Sequence, residues 1–373
     1  MRVKVIWPLK FVYDMSEGGA TGVLAAMRGQ WASMTGMAFM FVSTILIGLS
    51  VQPIYNIPEA RAFGEEGASK GAFVALELAM IGVFTIVIIW LARRGLDFFI
   101  KAIVLFALWM SLFYAVQPYV ALILYFLGLD TLYVVALLSI VISSGSIYLL
   151  HIFPEWYVVN GVGIMVGAGV ITLIGVSFVP ILIIAFMIAA AIYDYWAVNG
   201  SKHMLELADT MIDLKLPVLL VAPKNTDYSF IEQDDSVMRD KEIEVTKMDW
   251  DDPVPHIKKE GGPTKGRDAL FMGLGDVIFP GMLVISSVSF LPQTGGEVTY
   301  FSAFGVMYAD SLTVAMGTLF GGLLGFFALM TQVARGKPQA GLPLLNGGSI
   351  LGYLVSGYFA LGIGNLWQDI TFF

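Results

Sequence analysis

The chain has 373 residues, of which 57% are hydrophobic and only 13% are charged, and its formal net charge is −8. Soluble domains carry about a quarter charged residues, so this composition excludes an ordinary soluble protein and predicts a membrane protein with several spans. The absence of cysteine excludes disulfides, thiolate metal sites and thiol catalysis, and the basic residues form no dense patch of the kind that binds nucleic acid.

Long apolar runs predict an all-α membrane protein with about nine spanning helices, because a helix needs about 20 apolar residues to cross a bilayer. The period-2 alternation of an outer-membrane barrel is absent from these runs. Pro118 predicts a kink or tilt in the third span, and Pro180 divides the fifth span from the sixth. The predicted spans are residues 31–52, 72–92, 98–127, 131–151, 157–177, 179–198, 268–290, 311–334 and 343–366.

The distribution of Lys and Arg predicts the orientation, because basic residues accumulate in cytoplasmic connections. Basic pairs follow span two, at residues 93–94, and span eight, at residues 335–337, and the long loop after span six contains ten Lys or Arg. The connections on the opposite side contain Arg61 and Lys70 as their basic residues. We therefore expect a cytoplasmic N-terminus and an external C-terminus, with the first span acting as the insertion signal.

The long polar loop, residues 199–267, divides the chain into two groups of spans. Residues 1–198 form a predicted six-helix part, and residues 268–373 form a predicted three-helix part. Within the loop, the stretch from Leu205 to Leu220 could form an amphipathic helix. Residues 222–266 are rich in charge, Pro and Gly, and this composition predicts flexibility on the cytoplasmic side.

Ionisable residues inside apolar spans are costly and usually functional. The strongest cases are Glu77, Asp194 and Asp276, of which we interpret Glu77 as a packing or cavity-lining acid. Asp194 lies four residues, or about 6 Å, inside the end of span six, and Asp276 lies eight residues, or about 12 Å, from the start of span seven. Since the two spans run in opposite directions, both carboxyls can reach one level in the cytoplasmic third of the bilayer.

Two carboxyl groups in a low-dielectric site tend to share one proton, because they cannot easily both ionise. One is then an acid and the other a base, an arrangement that can activate water against a peptide carbonyl. Gly273 and Gly275 allow a helix or a substrate backbone to approach Asp276. Pro343 opens span nine and leaves unpaired backbone groups beside it, which could pair with an extended substrate strand.

These motifs and their order resemble those of the presenilin and signal peptide peptidase family of intramembrane aspartyl proteases, the GxGD type. Tyr193-Asp194 is similar to the Tyr-Asp motif of the family, and Gly273 to Asp276 is similar to its Gly-x-Gly-Asp motif. The segment Pro343 to Leu345 matches the Pro-Ala-Leu motif in part, since Leu344 stands where Ala is expected. The nine predicted spans and the long loop between the motifs agree with this resemblance.

The resemblance implies an aspartic endopeptidase that cleaves transmembrane helices of other proteins within the lipid bilayer, with Asp194 and Asp276 as catalytic residues. Only three histidines occur, and no two are spaced like metal ligands, so neither a metal nor another cofactor is predicted. The residues that the resemblance places against substrate are Tyr193, Gly273, Leu274, Gly275, Pro343, Leu344 and Leu345.

The short N-terminus and modest loop favour a microbial member of the family, for which the cell membrane is the expected location. The sequence leaves open whether the chain forms a homo-oligomer. It also leaves open a secondary transporter or ion channel, in which intramembrane acids couple or conduct ions. A metal-ion transporter, a non-catalytic scaffold and a prepilin-type peptidase, which also uses a Gly-x-Gly-Asp aspartate, are further alternatives.

Overall fold

The computed structural model of the chain describes residues 20–62, 64, 68–129, 131–198, 219–224, 228–229, 269–299, 304–333 and 340–370. Over these residues the chain is mostly helical, which agrees with the predicted all-α architecture. The helices are α1 (Ala20–Tyr55), α2 (Gly71–Arg93), α3 (Asp97–Phe126), α4 (Leu132–Ile152), α5 (Trp156–Gly175), α6 (Pro180–Trp196), α7 (Leu274–Phe290), α8 (Ala309–Val333) and α9 (Leu342–Ala360). Two-stranded antiparallel sheets pair β1 (Leu219–Pro223) with β2 (Ala269–Gly273), and β3 (Glu297–Val298) with β4 (Met307–Tyr308).

A helix lies at each of the nine predicted span positions, but the helices differ in length and polarity. Five contain stretches long and apolar enough to cross a membrane, in α1, α3, α4, α5 and α8. Helices α6 and α7 are apolar but have 17 residues each. At 1.5 Å per residue such a helix is about 25 Å long, somewhat less than a hydrocarbon core of about 30 Å. The number of membrane crossings therefore stays a prediction.

The boundaries of the helices follow the proline position in one of three cases. Pro180 occupies the first turn of α6, where the missing N–H costs no helical hydrogen bond. Pro280 lies inside α7 without ending it. Pro118 likewise lies inside α3, which continues from Asp97 to Phe126. In a bundle, packing against neighbouring helices can retain a helix through the local loss of one hydrogen bond.

The largest difference from the predicted spans is at the start of span seven. Residues 269–273, which were expected to begin this span, form strand β2, and α7 starts only at Leu274. The partner strand β1 comes from the loop that was expected to be polar and irregular. Leu220 and Val221 of β1 are fully buried, so this part of the loop belongs to the core, and residues 205–218 of the expected amphipathic helix lie outside the described residues.

Helix α7 lies at the centre of the described bundle and packs against α1, α5, α6, α8 and α9. Small residues permit this close packing: a side chain at Gly175 of α5 would collide with Ile285 of α7, and one at Gly281 of α7 would collide with Ile171 of α5. Helices α2, α3 and α4 lie further out and carry many exposed apolar side chains, as expected for surfaces in contact with lipid. The side chain of Glu77, on α2, lies outside the described residues.

Helices α1 and α7 run in the same direction through the bundle. At one end, the Ser33 hydroxyl of α1 donates a 2.6 Å hydrogen bond to the carbonyl of Pro223, in the sheet that leads into α7. At the other end, Nε2 of Gln52 donates to Oγ of Ser289 at 2.9 Å. The β1–β2 sheet and the start of α7 therefore lie at the end of the bundle where α1 begins.

Candidate active site

The end of α6 presents Asp194 to the interior and its neighbours to the outside. Asp194 is buried, at 7% exposure, whereas Tyr193, Tyr195 and Trp196 are about half exposed. This contrast follows from the helical period, because adjacent residues point in different directions around the axis. The fold thus selects one side chain of the Ala-Ile-Tyr-Asp-Tyr-Trp segment for the core, and it is the acidic one.

Asp276 lies in the first turn of α7, two residues after the helix begins at Leu274. The sequence placed it about 12 Å from the start of its span, but the formation of β2 reduces this to about 3 Å along the helix axis. Gly273, the last residue of β2, is the N-cap of α7 and contacts the carboxyl group: a Cβ added to Gly273 would lie 3.5 Å from Oδ2 of Asp276. A carboxylate in this position is stabilised by the helix dipole.

The start of α9 brings the two aspartates together. The backbone N–H of Leu342 donates a 3.1 Å hydrogen bond to Oδ2 of Asp194. The preceding residue, Gly341, lies against the other acid, since a Cβ added there would be 3.1 Å from both carboxyl oxygens of Asp276. The carboxyl groups of Asp194 and Asp276 are also close enough to interact electrostatically. Both acids therefore meet the same dipeptide, Gly341-Leu342.

Sequence reasoning did not identify Gly341 and Leu342, because it placed the third element of the site at residues 343–345. The N–H groups of a first helical turn have no intrahelical acceptor and are free to bind an anion. Pro343 lacks an N–H, and the N–H groups of Leu344 and Leu345 point to the carbonyl of Gly341. The available signal was Pro343, because a proline that opens a helix leaves unpaired backbone groups just upstream, where Leu342 lies.

The other predicted site residues differ in their solvent exposure. Gly275 is exposed, and no atom would lie within 4 Å of a Cβ placed there. Pro343 and Leu344 are half-buried in the first turn of α9. The side chains of Leu274 and Leu345 are buried, at 6% and 0% exposure. Gly275 is therefore open to direct contact with a substrate, whereas Leu274 and Leu345 are enclosed by the protein.

A seam of small residues between α8 and α9 determines where the start of α9 lies, and sequence reasoning missed it. A Cβ at Gly321 would collide with the backbone of Gly348 and Gly352, and a Cβ at Gly325 would collide with the carbonyl of Leu344. Such small residues at intervals of four bring two helices into backbone contact. The signal was present in the spacing of Gly317, Gly321 and Gly325 on α8 and of Gly348 and Gly352 on α9.

An asparagine on α5 fixes the strand that leads to Asp276. Asn160 is buried, its Nδ2 donates to the carbonyl of Val221 at 2.7 Å, and its Oδ1 accepts from the N–H of Val221 at 2.8 Å. The amide thus occupies the outer edge of β1 in the way a neighbouring strand would. Because β1 pairs with β2 and β2 runs directly into α7, Asn160 contributes to the position of the catalytic candidate Asp276.

Comparisons with known proteins decide which family this geometry belongs to. The family model "Signal-peptide peptidase, presenilin aspartyl protease" matches residues 37–363, a range that includes both aspartates and the start of α9. The chain belongs to this family. It is therefore a presenilin and signal peptide peptidase family protein, as the motifs predicted, and no curated protein matches it in a sequence search.

Solved structures of presenilin family proteases resemble this chain along most of its length. The structure of a presenilin family intramembrane aspartate protease in the C222 space group is 25% identical, with a TM-score of 0.55, and the match covers 88% of this chain and 99% of that one. A presenilin family intramembrane aspartate protease in the P2 space group is 27% identical, with a TM-score of 0.53 and coverage of 87% and 97%.

Membership of the presenilin family establishes the class of enzyme. The chain is an intramembrane aspartyl protease, an aspartic endopeptidase that is integral to the membrane. The family decides against the secondary transporter and the ion channel that the sequence left open.

Proposed function

We propose that Asp194 and Asp276 are the catalytic pair, and that this protease hydrolyses peptide bonds within transmembrane helices of other proteins. The observation that carries the proposal is the meeting of both carboxyl groups at Gly341-Leu342. Three segments far apart in the chain converge there, and each contributes a group with a chemical use: two acids and one N–H donor.

The proposed chemistry needs one proton shared by the two acids. The carboxylate removes a proton from a water molecule, whose oxygen attacks the carbonyl carbon of the scissile peptide. The protonated acid donates its proton to the carbonyl oxygen, giving a neutral tetrahedral diol. The diol then returns a proton to the pair, the amide nitrogen takes a proton, and the C–N bond breaks to release an amine and a carboxylic acid. The pair ends with one proton, as it began.

The N–H of Leu342 has a positioning role in this scheme. A carboxylate that accepts a hydrogen bond from a fixed backbone group keeps one orientation, which favours the geometry of attack. Gly341 has a complementary role, because the missing side chain lets the backbone of α9 approach Asp276.

Substrate contacts are proposed at the residues of the Gly-x-Gly-Asp segment and the first turn of α9. Gly275 offers exposed backbone beside Asp276, and Pro343 and Leu344 are half-buried in the first turn of α9. Tyr193 is 45% exposed next to Asp194 and could contact the substrate side chain nearest the cut. A substrate helix must unwind locally here, and these backbone groups would supply hydrogen-bonding partners for the peptide groups that it exposes.

The proposed topology has nine crossings, a cytoplasmic N-terminus and the active site near the cytoplasmic side of the cell membrane. The bundle agrees with alternating directions, since the C-terminal end of α6 and the N-terminal ends of α7 and α9 meet at the site. In this topology residues 199–267 form a cytoplasmic loop between a six-helix part, residues 1–198, and a three-helix part, residues 268–373. Both aspartates lie in one chain, so the proposal is compatible with a homo-oligomer but does not require it.

The test is cleavage of a synthetic transmembrane helix by the purified protein in lipid vesicles, with fragments identified by mass spectrometry. We expect Asp194→Asn and Asp276→Asn each to reduce the rate on the order of a thousandfold or more, because either change removes a member of the pair. The matched control is Asp310→Asn, an acid in the first turn of α8 whose carboxylate accepts a hydrogen bond from Thr294. Substantial cleavage by either dyad variant would remove that residue from the mechanism.

A further inference from the structure

A buried pair of polar side chains lies on α9, one to two turns after Leu342, whose N–H meets Asp194. Asn346 and Ser349 are 1% and 0% exposed and stand three residues apart, so they project from the same face of the helix. Asn346 follows Leu342 by four residues, or about 6 Å along the axis. Polar groups in such an apolar interior are costly unless their hydrogen bonds are satisfied.

The hydrogen bonds of this pair are only partly satisfied by the protein. Nδ2 of Asn346 donates to the carbonyl of Met187, on α6, at 2.9 Å. Oδ1 of Asn346 and Oγ of Ser349 are buried and have no hydrogen-bond partner among the described residues. On α4, the buried Oγ of Ser143 likewise has no partner among the described residues. Four other buried hydroxyls of the bundle behave differently, because each donates to the carbonyl four residues earlier. These are Thr44, Ser139, Ser287 and Thr318.

Helices α7 and α8 both pack close to Ser349. Gly322 of α8 faces the hydroxyl, and a Cβ there would collide with Oγ of Ser349 and lie 3.6 Å from Pro280 of α7. Pro280 has no N–H to donate to the carbonyl of Asp276, four residues earlier in the helix. Neither Gly322 nor Pro280 has a side-chain polar group that could satisfy the hydroxyl of Ser349.

We propose that Oδ1 of Asn346 and Oγ of Ser349 bind a water molecule inside the protein, and that this hydrated pair positions the start of α9 against Asp194. Residues three apart on a helix have Cβ atoms about 5–6 Å apart, a distance that one water spans with two hydrogen bonds of about 2.8 Å. A buried water needs two or more polar partners, which these atoms supply. Only the effect on cleavage rests on the proposed function; the water site does not.

The positioning role follows from the helices that the pair connects. Met187 precedes Asp194 by two turns on α6, and Asn346 follows Leu342 by about one turn on α9. The hydrogen bond from the side-chain amide of Asn346 to Met187 and the one from the N–H of Leu342 to Asp194 thus connect α9 to α6 at two levels. If the hydrogen bond between Asn346 and Met187 is lost, α9 can shift along α6. The N–H of Leu342 then no longer meets the carboxylate of Asp194 in a fixed geometry. Asn346 and Ser349 are positioning residues in this scheme, because neither touches the reacting atoms.

A double-mutant cycle on the full-length protein tests the shared water. Asn346→Ala, Ser349→Ala and the double variant are compared by thermal unfolding in lipid vesicles. If one water bridges both side chains, removal of either side chain leaves the water with only one of its two partners. The double variant is then little less stable than the less stable of the two single variants. If the stability lost by the double variant equals the sum of the losses of the two single variants, the shared water site is overturned. Ser287→Ala is the matched control, since its hydroxyl bonds within its own helix.

Two further measurements separate this inference from the proposed function. A high-resolution structure of the wild-type protein is expected to show water density at about 2.7–3.2 Å from both atoms, absent in Ser349→Ala, and lack of wild-type density overturns the site even if Asn346→Ala fails to fold. In the cleavage assay, kcat of both single variants is expected to fall about tenfold or more with KM unchanged. An unchanged kcat overturns the positioning role. A wild-type protein that cleaves nothing contradicts the proposed function but leaves the density and the cycle interpretable.

Discussion

At the scale of single residues, the orientation of the Asp194 carboxyl group depends on Leu342, 148 positions later in the chain. The carboxyl group accepts a hydrogen bond from the N–H of Leu342. Asp276 depends on Gly341 in a different way, because there the absence of a side chain is what permits contact. Glycine is thus required on α9 for the geometry of an acid on α7. Gly341 lies against both acids, whereas Leu342 donates to Asp194.

We expect Gly341→Ala to lower kcat about ten- to a hundredfold, because the new methyl group would lie 3.1 Å from both oxygens of Asp276 and would turn the carboxyl group away. Gly275→Ala is expected to raise KM with little change in kcat, because its methyl group meets no protein atom and would instead face the substrate. Steady-state cleavage of a transmembrane peptide measures both.

The control for both substitutions is Gly347→Ala, on α9, where an added Cβ also meets no atom within 4 Å. It is expected to retain the wild-type kcat and KM. If Gly341→Ala cleaves as fast as Gly347→Ala, the contact between α9 and Asp276 has no part in catalysis.

The shared proton predicts a bell-shaped dependence of the cleavage rate on pH. At low pH both acids are protonated and no base remains, and at high pH both are ionised and no acid remains. The maximum is expected between acidic and neutral pH, and its two limbs belong to the pair and not to either aspartate alone. Thermal unfolding measured over the same range separates this effect from loss of structure. A rate that rises steadily beyond about pH 9 would contradict the mechanism.

At the scale of elements, the pairing of α8 with α9 sets the position of the third segment of the site. The two helices touch through glycines spaced four residues apart, so their backbones leave no room for side chains between them. The carbonyl of Leu344, in the first turn of α9, lies at Gly325 in this seam. The seam therefore reaches to within a few residues of the dipeptide that meets the acids.

Gly321→Ala is expected to destabilise the protein by about 1–3 kcal/mol, because the methyl group would meet the backbone of Gly348 and Gly352, which cannot move without separating the helices. Cleavage should fall as well, since the start of α9 would move with its helix. Thermal unfolding and cleavage assays of Gly321→Ala and of Gly347→Ala, on the open face of α9, measure the difference. Equal stability of the two variants would show that the seam tolerates a side chain.

At the scale of the whole molecule, the orientation in the membrane is predicted by charge alone, and it can be read with single cysteines because the chain has none. Arg94 and Leu129 are exposed at the two ends of α3, in connections that the basic residues assign to opposite sides. Arg94→Cys should react with a membrane-impermeant thiol reagent in inverted vesicles, and Leu129→Cys in intact cells.

The site itself is expected to admit water from the cytoplasmic side. A cysteine at the half-buried Leu344 should therefore react in inverted vesicles, and faster than one at the fully buried Ile183 in the first turn of α6. If Arg94→Cys reacts in intact cells and Leu129→Cys in inverted vesicles, the orientation is the reverse of the predicted one, and the arrangement of the site is unaffected. A cysteine at Leu344 that reacts no faster than one at Ile183 in an active enzyme would place the water path elsewhere.

The sequence by itself determined the membrane class, the family and the two aspartates as candidates, because apolar runs and short motifs are local properties of the chain. Only the tertiary structure decided that Gly341 and Leu342 meet those aspartates, that β2 replaces the start of a helix, and that Leu274 and Leu345 are buried. The reason is physical. A backbone N–H and a missing side chain look the same in every sequence until packing brings them to a partner. Strand β2 forms only where β1, from within the long loop, can pair with it.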